Sequence, residues 1–196
     1  MKYNIHDTKA LVLKSRPHKE DSLLVLLLTR EFGCLYALAQ GARKSSSKIR
    51  AGLVESSYIS VGLLAGKGGW RVTYLVPYKN ILFSLRKKKS SQVAVSKIMS
   101  VCSNLIGEGG DSNDVFDTTL NGFLKMINDV EKGVDHCDNE RFLMLKILYV
   151  LGYIEHSAYL SFIKKEEFLM KEGKQNLMSL RRNMNKEINR ALDIAL

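Results

Sequence analysis

Residues 22–40 read SLLVLLLTREFGCLYALAQ, and this stretch decides the fold. Its first part, Ser22 to Thr29, is strand-sized and apolar on both faces, as a strand closed into a small barrel can be. The Phe32-Gly33 step allows a tight turn, because glycine reaches backbone angles that other residues avoid. Cys34 to Gln40 then makes a second strand that stops at Gly41.

Outward from this pair the β pattern continues. On the N-terminal side Thr8 to Lys14 (TKALVLK) is a short β-rich run, and Pro17 is expected to break the strand soon after it. On the C-terminal side the polar stretch Ala42 to Arg50 is too hydrophilic to bury. Ser56 to Leu64 alternates in part, and Gly66-Lys67-Gly68-Gly69 turns the chain into Trp70 to Val76, a β-hairpin pattern. Five short strands without intervening helices suggest a small barrel, and five is the OB-fold number.

After Pro77 the period becomes helical. Ala94, Ile98, Val101, Cys102 and Leu105 share one helix face, which should stop at Gly107. Phe116, Leu120, Phe123, Leu124 and Ile127 make a second apolar face. Phe142, Leu145, Leu148 and Tyr149 make a third, ending near Gly152, and Leu180, Met184, Ile188 and Leu192 a fourth, in a helix starting about Leu177. The predicted class is therefore α+β: a barrel over 1–80 and an all-α domain over 81–196. The boundary falls between Pro77 and Ser90, where Arg86-Lys87-Lys88-Lys89 reads as a solvated, charged connector.

The 196 residues suffice for one domain or two small ones. The longest apolar run, Leu23 to Leu28, falls far short of the roughly 20 residues that span a bilayer. The start MKYNIHDTK has no signal-peptide stretch, so a cytoplasmic location is expected. Cys34, Cys102 and Cys137 are widely spaced, which argues against both a disulfide framework and a zinc site; Cys34 and Cys102 read as core thiols.

No catalytic constellation is legible. His6, His18, His136 and His156 have no metal-ligand companions at helical spacing. Asp111 and Asp114 read as a helix cap. Gly66-x-Gly68-Gly69 joins two strands instead of opening a helix, so it is a turn and not a phosphate cradle. The expectation is a protein that is not an enzyme and needs no cofactor.

Charge is more informative. The net charge is +10, and residues 1–80 hold 13 Lys and Arg against 5 Asp and Glu, while the remainder holds 17 against 15. An excess so localised points to a polyanion partner for the barrel. Its densest part is Gly41 to Arg50 (GARKSSSKIR), with four cations and no acid. Lys and Arg neutralise phosphate, and Ser hydroxyls and free backbone N–H groups hydrogen-bond its oxygens.

The motifs A-L-V-L-K-S-R (10–16), Glu20, L-L-T-R-E-F-G (27–33), A-Q-G-A-R-K (39–44) and Trp70-Arg71-Val72-Thr73 succeed one another as in the RecO N-terminal domain. L-Y-V-L-G-Y (148–153) and N-K-E-I-N-R-A-L (185–192) extend the likeness through the helical half. The chain thus resembles the RecO family of recombination mediators. The resemblance implies an OB-fold that binds single- and double-stranded DNA, anneals complementary strands and assists recombinase loading in DNA repair. It implies a RecR-like partner and the acidic, phenylalanine-ended tail of single-strand-binding protein, at work near the nucleoid. In one respect the chain departs. Many members carry C-x-x-C zinc pairs after the L-G-Y motif, but here Ile154 to Leu160 has no cysteine, so a short, zinc-free variant is expected.

Arg43, Lys44, Lys48 and Arg50 are the expected phosphate contacts, with Lys14, Arg16, Lys67 and Arg71 extending the patch. Of the strand aromatics, Tyr36, Tyr58 and Tyr74 are expected in the core and Trp70 on the bases. Lys125, Arg141 and Lys146 are the expected cations for the acidic tail, and no residue is expected to bind metal. Two alternatives stand beside this reading. One is an adaptor that docks on single-strand-binding protein or RecR with little DNA contact; the other is an OB-fold RNA-binding factor.

Overall fold

The computed structural model describes residues 4–108, 112–133, 139–162 and 177–195. Five strands, β1 (Ile5–His18), β2 (Ser22–Thr29), β3 (Gly33–Ala39), β4 (Ser57–Gly66) and β5 (Gly69–Asn80), close a barrel in the order β1-β2-β3-β5-β4. All pairings are antiparallel except β3 with β5, which are joined in parallel by Ala37 opposite Trp70 and Leu38 opposite Arg71. This is the OB-fold arrangement expected from the strand count. Gly33, at φ 70°, makes the expected turn into β3.

The break expected at Pro17 does not occur, and the strand expected to end at Val76 runs on to Asn80, for one shared reason. β1 runs on through Pro17, which pairs with Leu23 of β2, and β5 runs on through Pro77, which pairs with Ile59 of β4. On their other sides the pairing of β1 with β4 has ended at Leu11, and that of β5 with β3 at Arg71. Each proline stands where one edge of its strand is free, and a missing N–H there costs no ladder bond.

A short turn of helix, α1 (Ile81–Ser84), comes directly after β5. Then come α2 (Lys89–Leu105), α3 (Asn113–Glu131), α4 (Asn139–Val150), α5 (described over residues 156–162) and α6 (Leu177–Ala195). The predicted connector is shorter than expected, because Lys89 already belongs to α2. The apolar faces are largely as expected, with Leu124 turned outward at 37% exposure and Met126 buried in its place. On α4 Leu143, Met144 and Ile147 are buried as well, while Phe142 and Tyr149 are only half-buried. At Gly122 a Cβ atom would lie 2.4 Å from the Leu143 side chain, so a larger residue there would force Leu143 to shift.

Two apolar clusters result. Val12, Val25, Leu27, Leu35, Ala37, Ile59 and Leu63 fill the barrel. Leu11, Leu13, Leu26, Leu28 and Cys34 point the other way and pack with Ile98, Cys102, Phe116 and Phe123 of the helices. This explains why β2 is apolar on both faces. The second face is covered by helices, not turned inward by barrel closure. Polar contacts fix the same junction: the Ser112 hydroxyl lies 2.9 Å from the Thr29 and Arg30 carbonyls and accepts from the Gly33 N–H at 2.9 Å. Beside it Arg30 grips the Asp117 carboxylate with Nε and Nη2, and that guanidinium holds the Asp117 pKa below the usual carboxylate range.

Candidate nucleic-acid interface

Helices cover only part of the outer barrel face. The rest is built by strand register. Arg16 of β1 stands opposite Leu24 of β2, Leu24 opposite Leu38 of β3, and Leu38 opposite Arg71 of β5. Residues paired across a ladder share a face. Their neighbours Val25, Ala37 and Ala39 fill the barrel, so this row of two cations and two leucines lies outside. The adjacent row is Lys14, Leu26 and Tyr36. A β-bulge between Val12 and Lys14 sets the phase, bringing Lys14 and Arg16 outward after the buried Leu13.

Tyr36, expected in the core, is 51% exposed, and the Arg16 guanidinium lies over its ring at 5.7 Å from the centroid. Trp70, expected to be the exposed aromatic, is half-buried. Its Nε1 donates to the Glu108 carboxylate at 2.9 Å, and its ring packs against His6 and Phe32. Tyr58, also expected in the core, is half-buried and packs against the core from its edge, with its ring 4.8 Å from that of Tyr78. Tyr74, also expected in the core, is exposed and donates its hydroxyl to Asp7. Tyr36 was legible in principle. In Cys34-Leu35-Tyr36-Ala37-Leu38-Ala39 the small Ala37 and Ala39 share a face with Leu35, which leaves Tyr36 on the other.

The basic loop divides in two. Arg43 donates from Nη1 to the Lys19 and Glu20 carbonyls at 3.2 and 3.0 Å, and its backbone N–H donates to the Asp21 carbonyl at 2.9 Å. Lys44 Nζ lies 3.7 Å from the Asp21 carboxylate. Both residues tie the loop to the tip of the β1–β2 hairpin. Lys48 and Arg50 are exposed, as are Lys14, Arg16, Arg71 and Lys67, the last at the β4–β5 turn. Among the described residues none of these six forms an ion pair.

In the helical half, α2, α4 and α6 enclose a groove of about 510 Å³ with an apolar floor that includes Ile98, Met144 and Ile188. Its rim carries Lys97 and Arg141, together with Glu140. Arg141 also donates to Asn185 Oδ1 at 3.0 Å. Lys125 and Lys146 are exposed and do not line the groove. Cys34 and Cys102 are buried, and burial pushes both thiols up to about 12, so neither is a nucleophile at neutral pH. Among the described residues no cluster of His, Cys, Asp or Glu could hold a metal ion; Asp111, His136 and Cys137 lie outside them. No described helix is long and apolar enough to cross a membrane.

Comparison with known proteins agrees with this architecture. Residues 1–69 match the family described as recombination protein O, N terminal. The chain is 40% identical over 76 residues to the DNA repair protein RecO of Heliobacterium modesticaldum, a match covering 39% of this chain and 28% of that protein. It is 27% identical over 109 residues to the DNA repair protein RecO of Alkaliphilus metalliredigens, covering 56% and 44% respectively. A longer match, 22% identical over 171 residues, covers 86% of this chain and 67% of the DNA repair protein RecO of Thermodesulfovibrio yellowstonii. The first two matches thus span less than half of those relatives. The segment that matches this family carries β1 to β4 of the barrel, and the longer, weaker match runs on into the helical part, so the chain is similar to RecO proteins over most of its length.

Proposed function

We propose that this chain is a non-catalytic DNA-binding mediator that lays a single strand across the uncovered outer face of its barrel. The observation that carries this reading is the exposed Tyr36 with Arg16 over its ring, beside the row that ends on Arg71. A ring flanked by cations supplies a stacking platform and phosphate partners together. The stacking role expected of Trp70 passes in this reading to Tyr36. Lys14, Lys48, Arg50 and Lys67 extend the phosphate track, while Arg43 and Lys44 hold the loop in place. Annealing of complementary strands needs no catalytic group, since cations that screen two backbones lower the repulsion between them. Residues 1–80 would bind DNA and residues 81–196 would brace the barrel and meet partners, as a mediator that assists recombinase loading requires.

A protein partner is favoured by a separate observation, the apolar groove rimmed by Lys97 and Arg141. Its chemistry suits the acidic, phenylalanine-ended tail of single-strand-binding protein. Of the three cations expected there, this reading keeps Arg141 alone.

The test is annealing of complementary DNA strands by the parent and by Tyr36→Ala, with binding to matched DNA and RNA oligonucleotides in parallel. DNA binding and annealing that both fall in Tyr36→Ala support the proposal. A parent that binds tail peptide but no nucleic acid would leave the adaptor reading standing, and a clear preference for RNA would leave the RNA-binding one.

A further inference from the structure

From residue 56 to residue 107 the sequence contains eight Lys and Arg and no Asp or Glu. Three of these cations belong to β4 and β5 or their turn; the other five, Arg86, Lys87, Lys88, Lys89 and Lys97, come after the barrel. They sit on a rigid support, not a loose linker. Ile81 and Leu85 are fully buried, the Arg86 N–H donates to the Phe83 carbonyl at 3.2 Å, and the Lys88 N–H to the Leu85 carbonyl at 2.9 Å. Between the two buried anchors Phe83 is turned outward. It is 66% exposed, the most exposed Phe, Tyr or Trp among the described residues, and the Arg86 guanidinium lies 4.4 Å from its ring centroid. Beyond it an open groove along α2 has Leu82 and Val93 on its floor, Ser96 and Ser100 on its walls and Lys89 and Lys97 as its charges.

This repeats, away from the barrel face, the combination found at Tyr36 and Arg16: an exposed ring with a guanidinium over it, set among cations. We infer that the α1–α2 surface, through Phe83, Arg86, Lys87, Lys89 and Lys97, is a second binding site for single-stranded nucleic acid. The phosphate backbone tracks the lysines, and a base stacks on Phe83. The partner class is set by charge: a ligand for this surface must be a polyanion, and a ring exposed to this degree favours one with flat apolar faces. Two strands held on one chain, one at Tyr36 and one at Phe83, would bring complementary sequences together without any catalytic step. The inference rests on the proposed function for the premise that the ligand is nucleic acid, and it shares Lys97 with the groove assigned there to an acidic tail.

The experiment is native mass spectrometry of the full chain with a short oligothymidylate, counting strands per chain. The parent is compared with Tyr36→Ala, with Phe83→Ala, and with Lys87→Glu, Lys89→Glu and Lys97→Glu combined. The parent is expected to take up two strands. Phe83→Ala is expected to weaken the second by about fivefold or more, the lower end of aromatic–base stacking, and the triple reversal to abolish it, while the first strand binds as before. Phe83→Ala removes only an exposed ring, so it keeps the test open should the triple variant misfold. A parent that saturates at one strand, sensitive to Tyr36→Ala, would overturn this inference and leave the barrel reading intact. A parent that binds no strand would overturn both. A second strand undisturbed in both surface variants, with binding of an acidic phenylalanine-containing peptide lost instead, would assign the surface to a protein and overturn the inference.

Discussion

The outer face of the barrel is one surface with two fates. At one end Leu26, Leu28 and Cys34 are sealed under α2 and α3; at the other Leu24, Tyr36 and Leu38 are left partly or largely open among Lys14, Arg16 and Arg71. The same strands, β2 and β3, supply both halves, with the same alternation. The difference is what lies above them. Under the helices an outward apolar side chain stabilises the fold, and in the open half the same kind of position is free for a ligand. The cations sort accordingly, since the sealed half has no room for a charge that cannot be paired.

Substitution on either side of the line separates the two roles most sharply. Leu28 is fully buried, so Leu28→Ala is expected to cost about 2–5 kcal/mol in urea unfolding, through lost transfer energy and a cavity. Leu24 lies outside the cover and is only half-buried. Leu24→Ala is expected to cost about 1 kcal/mol or less, in keeping with small changes at solvent-facing sites. Equal losses at the two positions would show that the helices extend their cover beyond Leu26.

Tyr36 and Trp70 give the next largest contrast, this time in binding. Tyr36→Ala is expected to weaken single-strand binding by about 1–3 kcal/mol with stability nearly unchanged. Trp70→Ala is expected to do the reverse, because its indole is held by Glu108, His6 and Phe32. Anisotropy titrations with a labelled oligonucleotide, run beside thermal melts, measure both. The opposite pattern would return the stacking role to Trp70.

Much of the fold was legible in the residues. Strand-length apolar runs, Gly33 and the Gly66–Gly69 turn specify a five-stranded barrel, and the 3.6-residue period of Phe116, Leu120, Phe123 and Ile127 specifies a helix. The prolines misled because a local rule cannot tell a paired strand edge from a free one, and that depends on where β4 and β3 stop pairing. The site was less legible for the same kind of reason. Whether Arg43 meets a phosphate or the hairpin at 19–21 depends on a contact more than 20 residues away in sequence. Whether Tyr36 is open depends on how far α2 reaches.

The sealed half also responds to pH. Burial holds the Cys34 and Cys102 thiols at about 12, well above their value in an unfolded chain. Between roughly pH 9 and 12 the unfolded state releases these protons and the folded state keeps them. The unfolded form then binds fewer protons, so stability is full below about pH 9 and falls as pH rises through that window. Urea unfolding at pH 8 and pH 10.5 should show a loss in the parent that Cys102→Ala reduces. The same loss in that variant would place its origin elsewhere.

The smallest expected effect tests the division within the basic loop. Each cation that neutralises a phosphate on a single strand contributes about 0.7 to the slope of log affinity against log salt. Lys48 and Arg50 are exposed and form no ion pair among the described residues, so replacing both by Ala is expected to flatten the slope by about 1.4. Arg43 and Lys44 already spend donors on the Lys19 and Glu20 carbonyls and on the Asp21 carboxylate. Replacing them is expected to change the slope by less than that and to loosen the loop, read as faster amide exchange at residues 41–47. Because phosphate contacts position a protein without reading bases, both losses should be nearly equal for every sequence tested. If the four residues instead shift the slope equally, by nearly 3 units together, then Arg43 and Lys44 leave the hairpin when DNA arrives. The loop and the open barrel face would then form one continuous track, with no boundary between the cations that hold the loop and those that hold the strand.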